Sequence, residues 1–174
     1  VIYPRCFKGD IRKIYAQGEV FLEVAHDKKH PFIVESDDFK LQVLGTKFNI
    51  SNYKGGTTNI VLVEGAVEVT DKNEKKARLN PNDLLNIANG TIAYQKQVDV
   101  AEYISWVEGI MLLNGNDLSQ IIQRLSIYYG ISIQCDPIIG KEKVYGKLDL
   151  KDDIDEVIEC IQQTLPFTIE KSDT

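Results

Sequence analysis

Side chains able to do chemistry are few and scattered. The only two histidines, His26 and His30, stand four apart in Ala25-His26-Asp27-Lys28-Lys29-His30-Pro31. On a helix that spacing would let both rings grip one metal ion, but Pro31 and the strand-like runs on either side place them in a turn, where the rings do not converge. Three cysteines, Cys6, Cys135 and Cys160, are odd in number and widely spaced, with no C-x-x-C pair. They offer neither a disulfide framework nor a zinc site. Cys135 and Cys160 lie beside apolar runs and read as small core fillers.

The acidic residues point the same way. Glu19 with Glu23, and Glu64 with Glu68, would share a strand face and invite a glycosidase reading, yet alternate Glu residues are also the ordinary solvent face of a half-buried sheet. Asp149-Leu150-Lys151-Asp152-Asp153-Ile154-Asp155 has the density of a calcium loop, but its third position is Lys151 and its sixth is Ile154, where an oxygen ligand and a glycine are needed. Helix capping accounts for these acids better. Gly-x-Ser-x-Gly is absent, no cysteine has a plausible base beside it, and Gly45-Thr46-Lys47 lacks the preceding glycines and following helix of a phosphate cradle. We therefore expect no catalytic, cofactor-binding or metal-ligating residues, and a protein that is not an enzyme.

The elements that carry these side chains are legible in the pattern. The sequence has 174 residues, 43% of them hydrophobic and 26% charged, an ordinary globular composition. Lys/Arg and Asp/Glu number 14 each in residues 1–105, but 6 against 12 in residues 106–174. That step suggests two domains, and the lack of a basic cluster argues against nucleic acid. No apolar run nears the ~20 residues of a bilayer-crossing helix. The opening Val1-Ile2-Tyr3-Pro4 reads as the end of a strand, so we expect sequence upstream of it.

Ten short strands are predicted, at 11–15, 19–24, 32–36, 40–44, 47–51, 58–63, 66–70, 76–79, 84–88 and 91–95. Phe39, Leu41 and Val43 alternate with Lys40 and Gln42, and Glu64-Gly65, Asn80-Pro81-Asn82-Asp83 and Asn89-Gly90 supply turns. Residues 1–97 are thus expected to be all-β, a sandwich or a short solenoid-like array. Residues 98–108 form a linker with a short helix that Tyr103, Ile104 and Trp106 dock.

Residues 109–174 contain an internal repeat at a spacing of 36. Leu118, Ile121, Ile122, Leu125, Tyr129, Ile131 and Ile133 recur as Ile154, Val157, Ile158, Ile161, Leu165, Phe167 and Ile169. The first five of each set make one helical face and the last two alternate as in a strand. Asn116 and Asp152 are expected N-caps, Gly130 and Pro166 the helix ends. With strands at 109–113 and 143–150, a small α+β domain of order β-α-β-β-α-β follows, both helices on one face of a sheet.

These residues resemble a known family. Gly18-Glu19-Val20-Phe21-Leu22-Glu23-Val24-Ala25, Pro31-Phe32-Ile33-Val34, Val43-Leu44-Gly45-Thr46-Lys47-Phe48-Asn49-Ile50, Val63-Glu64-Gly65-Ala66-Val67-Glu68-Val69 and Leu79-Asn80-Pro81 together resemble the FecR domain of periplasmic anti-sigma regulators. Ser105-Trp106-Val107-Glu108-Gly109, followed by Leu118 through Arg124-Leu125-Ser126-Ile127-Tyr128-Tyr129-Gly130, resembles the C-terminal domain that such proteins carry in Bacteroidetes-type bacteria, a domain similar to the short signalling (STN-like) domain of secretins and TonB-dependent transducers. The resemblance implies a periplasmic relay anchored in the inner membrane by a helix upstream of these residues. Its partner would be the signalling domain of an outer-membrane TonB-dependent transducer, and a cytoplasmic segment outside this sequence would bind an extracytoplasmic-function sigma factor. It implies no cofactor.

Two other readings stand beside it. The β domain could be a cupin-like module for a small molecule or glycan, although two histidines cannot supply the usual His-x-His, Glu and His set of a cupin metal site. The whole could also be a spacer. In the relay the second domain, residues 109–174, would dock the transducer's signalling domain by strand addition or through its exposed sheet face. A filled β interior with an open strand edge favours the relay, whereas a deep polar pocket with a bound metal favours the cupin-like module.

Overall fold

The computed structural model of the protein describes residues 1–7, 9–53 and 57–168. The chain divides into two compact units, residues 1–104 and 105–174.

The first unit is built on ten strands: β1 (Arg12–Tyr15), β2 (Gly18–Val24), β3 (Phe32–Glu35), β4 (Phe39–Val43), β5 (Thr46–Asn52), β6 (Thr58–Glu64), β7 (Val67–Asp71), β8 (Lys76–Leu79), β9 (Asp83–Ala88) and β10 (Thr91–Gln97). All ten predicted strands are present, with ends shifted by no more than two residues. They form two five-stranded sheets, β1-β3-β4-β7-β8 and β10-β9-β6-β5-β2. The β1–β3 pair is parallel and every other strand pair in this unit is antiparallel. Both sheets contribute to one apolar core, among them Val34, Leu41, Val69 and Leu79 from the first and Phe48, Ile50, Ile60, Leu62 and Leu85 from the second, none of them accessible to solvent. This is a two-layer sandwich.

The chain changes sheet at five corners, and three of them pack against one another. A Cβ placed on Gly45, between β4 and β5, would lie 2.5 Å from the Cα of His26, which belongs to the corner between β2 and β3. A Cβ on Gly65, between β6 and β7, would lie 2.8 Å from the carbonyl oxygen of Gly45. Gly65 also has φ +93, the left-handed region that favours glycine. Thr46 Oγ1 donates to Ala66 O at 3.1 Å across the same junction. Gly45-Thr46-Lys47 is therefore a corner between strands, as its sequence context suggests. The short helix α1 (Ala101–Ile104) closes this unit, and Asp99 Oδ1 accepts from Ala101 N at 3.0 Å at its start.

The second unit begins with a 3-10 turn at Ser105–Glu108. It then runs through β11 (Ile110–Asp117), α2 (Leu118–Tyr129), a 3-10 turn at Ile139–Lys141, β12 (Lys143–Asp149) and α3 (Ile154–Gln162). The 3.6-residue period places both helices where expected. Leu118, Ile121, Ile122 and Leu125 of α2 and Val157, Ile158 and Ile161 of α3 are buried, and most of them cluster with Met111, Leu113, Val144 and Leu148 of the two strands. Trp106 packs half-buried against this core.

The expected strand order needs correction. Among the described residues this unit has two strands, antiparallel, and its order is β-α-β-α rather than β-α-β-β-α-β. Residues 131–136 alternate in burial but pair with no strand: Ile133 N donates to Ser126 Oγ at 3.2 Å and Ile131 N to Ser126 O at 3.0 Å, so helix α2 takes these donors. Residues 165–168 are also non-strand, with Phe167 O accepting from Gln162 Nε2 at 2.7 Å; Ile169, the last residue of the repeat, lies outside the described residues. The N-caps are Asp117 and Asp153, one residue later than Asn116 and Asp152. Gly130 does end α2 in the left-handed conformation, φ 69, while α3 ends at Gln162, before Pro166.

Candidate protein-docking surface

Each group singled out for chemistry is engaged in local structure. His30 Nδ1 and Asp27 Oδ2 lie 2.7 Å apart, and Asp27 Oδ1 accepts from the backbone N–H groups of Lys29 and His30. The His30 imidazole, helped by those N–H groups, holds the Asp27 carboxyl below the usual carboxylate range. His26 is exposed and packs on Gly45, so the two rings serve separate contacts. Glu19 accepts from Asn49 Nδ2 and from Tyr53 Oη, the latter at 2.9 Å, whereas Glu23 and Glu64 both face Lys47, at 3.7 and 3.9 Å. Glu68 pairs with Lys76 at 2.9 Å. Neither suggested pair, Glu19 with Glu23 or Glu64 with Glu68, addresses a common centre. Among the described residues, no cluster of three or more His, Cys, Asp or Glu has the arrangement of a metal site.

The cysteines are all free, and they differ in setting. Cys135 is half-buried near Ser119 and Gly140, and burial, with the Asp136 charge second, pushes its thiol pKa up, away from reactivity. Cys160 is exposed, which corrects its reading as a core filler. It stands one position short of Ile161 and so rotates out of the buried stripe. The acids of the calcium-like stretch are turn and helix caps: Asp149 Oδ1 accepts from Lys151 N at 3.0 Å and Asp153 Oδ1 from Asp155 N at 2.9 Å.

The interior of the sandwich is filled by its apolar core, and a concave feature of the first unit lies outside it. A shallow depression of about 400 Å³ crosses the outer surface of β4 and β7, bordered by the β3–β4 and β7–β8 turns. Several charged groups in and beside it are paired with one another or with the backbone. Lys72 pairs with Asp38 at 2.7 Å, and Lys13, on the neighbouring β1, with Glu35 at 2.5 Å. Asp71 accepts from Asn73 N at 2.8 Å, Lys75 N at 2.9 Å and Ile92 N at 3.0 Å. Those N–H donors, Ile92 foremost, hold the Asp71 carboxyl below the usual range.

The second unit presents a different surface. Residues directly opposite in an antiparallel pair share a face. Met111 faces Leu148 on the buried side, and Leu112 faces Lys147, Asn114 faces Tyr145 and Asp117 faces Lys143 on the other. Both helices bury their apolar stripes into the cluster that holds Met111, Leu113, Val144 and Leu148. Neither α2 nor α3 therefore covers the outward face of the sheet. A bulge between Asn114 and Asn116 leaves Gly115 at φ +75, and a Cβ there would meet Tyr145 Oη at 2.9 Å. The Tyr145 ring thus rests against the glycine while remaining 67% exposed. In the sequence this face is an expected docking surface in general terms only, and Lys143, Tyr145 and Lys147 do not stand out. The available signal was their alternation with Val144 and Leu148.

The fold has relatives of known structure. Residues 7–68 match the family described as FecR protein, and residues 110–174 match that described as FecR, C-terminal. Two crystal structures of a protein assigned as an anti-sigma factor, from Parabacteroides distasonis ATCC 8503, superpose with TM-scores of 0.83 and 0.81 at 30% identity. The first comparison covers 99% of this chain and 82% of the relative, the second 98% and 81%. No curated protein matches the chain. The chain belongs to the FecR family of anti-sigma factors, a family of regulators. No helix among the described residues is long and apolar enough to cross a membrane.

Proposed function

We propose that these residues are the periplasmic, signal-receiving part of a FecR-like anti-sigma regulator. In this reading the regulator is anchored in the inner membrane by a helix that precedes them. The second unit meets the signalling domain of an outer-membrane TonB-dependent transducer, and the event passes by protein contact toward an extracytoplasmic-function sigma factor, which a cytoplasmic segment holds. Residues 1–97 and 109–174 act as the two working domains and 98–108 as the linker between them.

The observation that carries the reading is the outward face of the β11–β12 sheet, which neither α2 nor α3 covers, in a unit that matches the FecR C-terminal family. Sheets with an open face or unpaired edge accept further protein. The filled sandwich core supports contact over turnover, and gives a cupin-like ligand no interior to occupy.

The test is capture of detergent-solubilised outer-membrane protein on the immobilised chain, followed by mass spectrometry. Retention of a TonB-dependent transducer that carries a signalling domain is expected. Retention of no such transducer would remove the reading.

A further inference from the structure

Charge in the second unit is sorted by element. Its described basic residues are Arg124, Lys141, Lys143, Lys147 and Lys151, and four of the five lie in β12 or within two residues of its ends. The turn before α3 and the outer surface of that helix carry Asp152, Asp153, Asp155, Glu156 and Glu159, all exposed. An acidic unit has therefore placed most of its cations on or beside the strand whose outward side neither helix covers. Lys143, Tyr145 and Lys147 are consecutive outward positions of β12, so ammonium, phenol and ammonium stand in one row.

The row is available for recognition. Lys143 shares its charge with Asp117 at 2.8 Å, but the lysine side chain is still 58% exposed, where such a pair holds it weakly. Lys147 has no carboxylate partner among the described residues, and the half-buried Leu112 lies opposite it. Asp149 ends the row with its carboxylate turned to the Lys151 backbone. Tyr145, its ring beside Gly115 and 67% exposed, is a large aromatic of the kind that anchors interfaces.

We infer that Lys143, Tyr145 and Lys147 form the recognition row of this protein and that the partner presents an acidic protein surface to it. The inference rests on the docking reading above and specifies its chemistry. Paired lysines steer an acidic partner toward the face and fix its orientation, and Tyr145 with Leu112 supplies the apolar contact between them.

The probe is the purified signalling domain of the transducer captured above, titrated against the 174-residue chain and three variants of matched thermal stability. K143E/K147E is expected to weaken binding about tenfold or more, and raising NaCl from about 50 to about 500 mM to weaken the wild type far more than this variant. Y145A is expected to lose about tenfold as well. E156K/E159K, which alters the acidic helix instead, is expected to stay within about twofold. Equal binding by wild type and K143E/K147E, or a wild-type affinity indifferent to salt, overturns the acidic-surface inference and leaves the docking reading standing. No binding by the wild type removes both. Self-association of the chain that competes with the domain and is lost in E156K/E159K also overturns it, because the acidic partner would then be α3 of a second copy.

Discussion

Asp71, the last residue of β7, accepts a hydrogen bond from the backbone N–H of Ile92 in β10 at 3.0 Å and so ties one sheet of the sandwich to the other. Two further N–H groups, from Asn73 and Lys75, converge on the same carboxylate. Because these donors favour the ionised form, the folded-state pKa lies below the ordinary one. The stability this group contributes is present above the ordinary carboxylate range and is lost as pH falls through the folded value. Asp71→Asn should lower the urea midpoint near neutral pH, and its midpoint should fall less than the wild type's between about pH 7 and about pH 3. Parallel curves for the two proteins would show that the carboxylate's charge is not what the N–H groups recognise.

The three packed corners make a second prediction. Gly45 has no space for a methyl group because the backbone of His26 stands where it would go, 2.5 Å away, and that backbone is itself pinned by the 2.7 Å bond from Asp27 N to Leu44 O. Gly45→Ala is expected to cost about 1–3 kcal/mol in chemical denaturation, as overpacking does elsewhere. A change near zero would mean that the 25–31 turn moves aside freely.

Much of this architecture is legible in the amino-acid pattern, and what is not has physical causes. The ten strands follow from alternation such as Phe39, Leu41 and Val43 against Lys40 and Gln42, which a single chain segment carries by itself. Sheet membership does not, because β4 pairs with β7 and β2 with β5 across intervening strands, and only long-range packing selects those partners. In the second unit, alternation at Ile131 and Ile133 suggests a strand, but a strand also needs a neighbour, and the backbone of both residues is held by Ser126. The cap at Asp117 follows Asn116 and that at Asp153 follows Asp152, so in each case the preceding residue is an equally good capping candidate and only backbone geometry decides. The row at Lys143, Tyr145 and Lys147 is not legible in the sequence for a related reason: three surface residues become a candidate site only because both helices lie on the other side of the sheet.

Helix α2 carries the third prediction. Ile121 is wholly buried at the centre of the second core, and Ile121→Ala should destabilise that unit by about 2–5 kcal/mol. Amide hydrogen exchange should report it as faster exchange in α2, β11 and β12. Unchanged exchange there would contradict the assigned core.

Tyr129 offers a subtler change at the end of the same helix. Its hydroxyl donates to Leu150 O and Asp152 O, both at 3.0 Å, which holds the end of α2 to the loop after β12. Tyr129→Phe keeps the ring, so the expected loss is about 1 kcal/mol. Thermal melting checks it, and an unaltered midpoint would mean that water replaces the hydroxyl at no cost.

The claim that matters most is that this protein works by contact through its second unit. Hydrogen–deuterium exchange of the 174-residue chain, with and without the transducer's signalling domain, tests it most directly. The account predicts new protection concentrated in β11 and β12, around Leu112 and Tyr145. Protection confined to the sandwich of residues 1–104, or none at a saturating concentration of the domain, would contradict it.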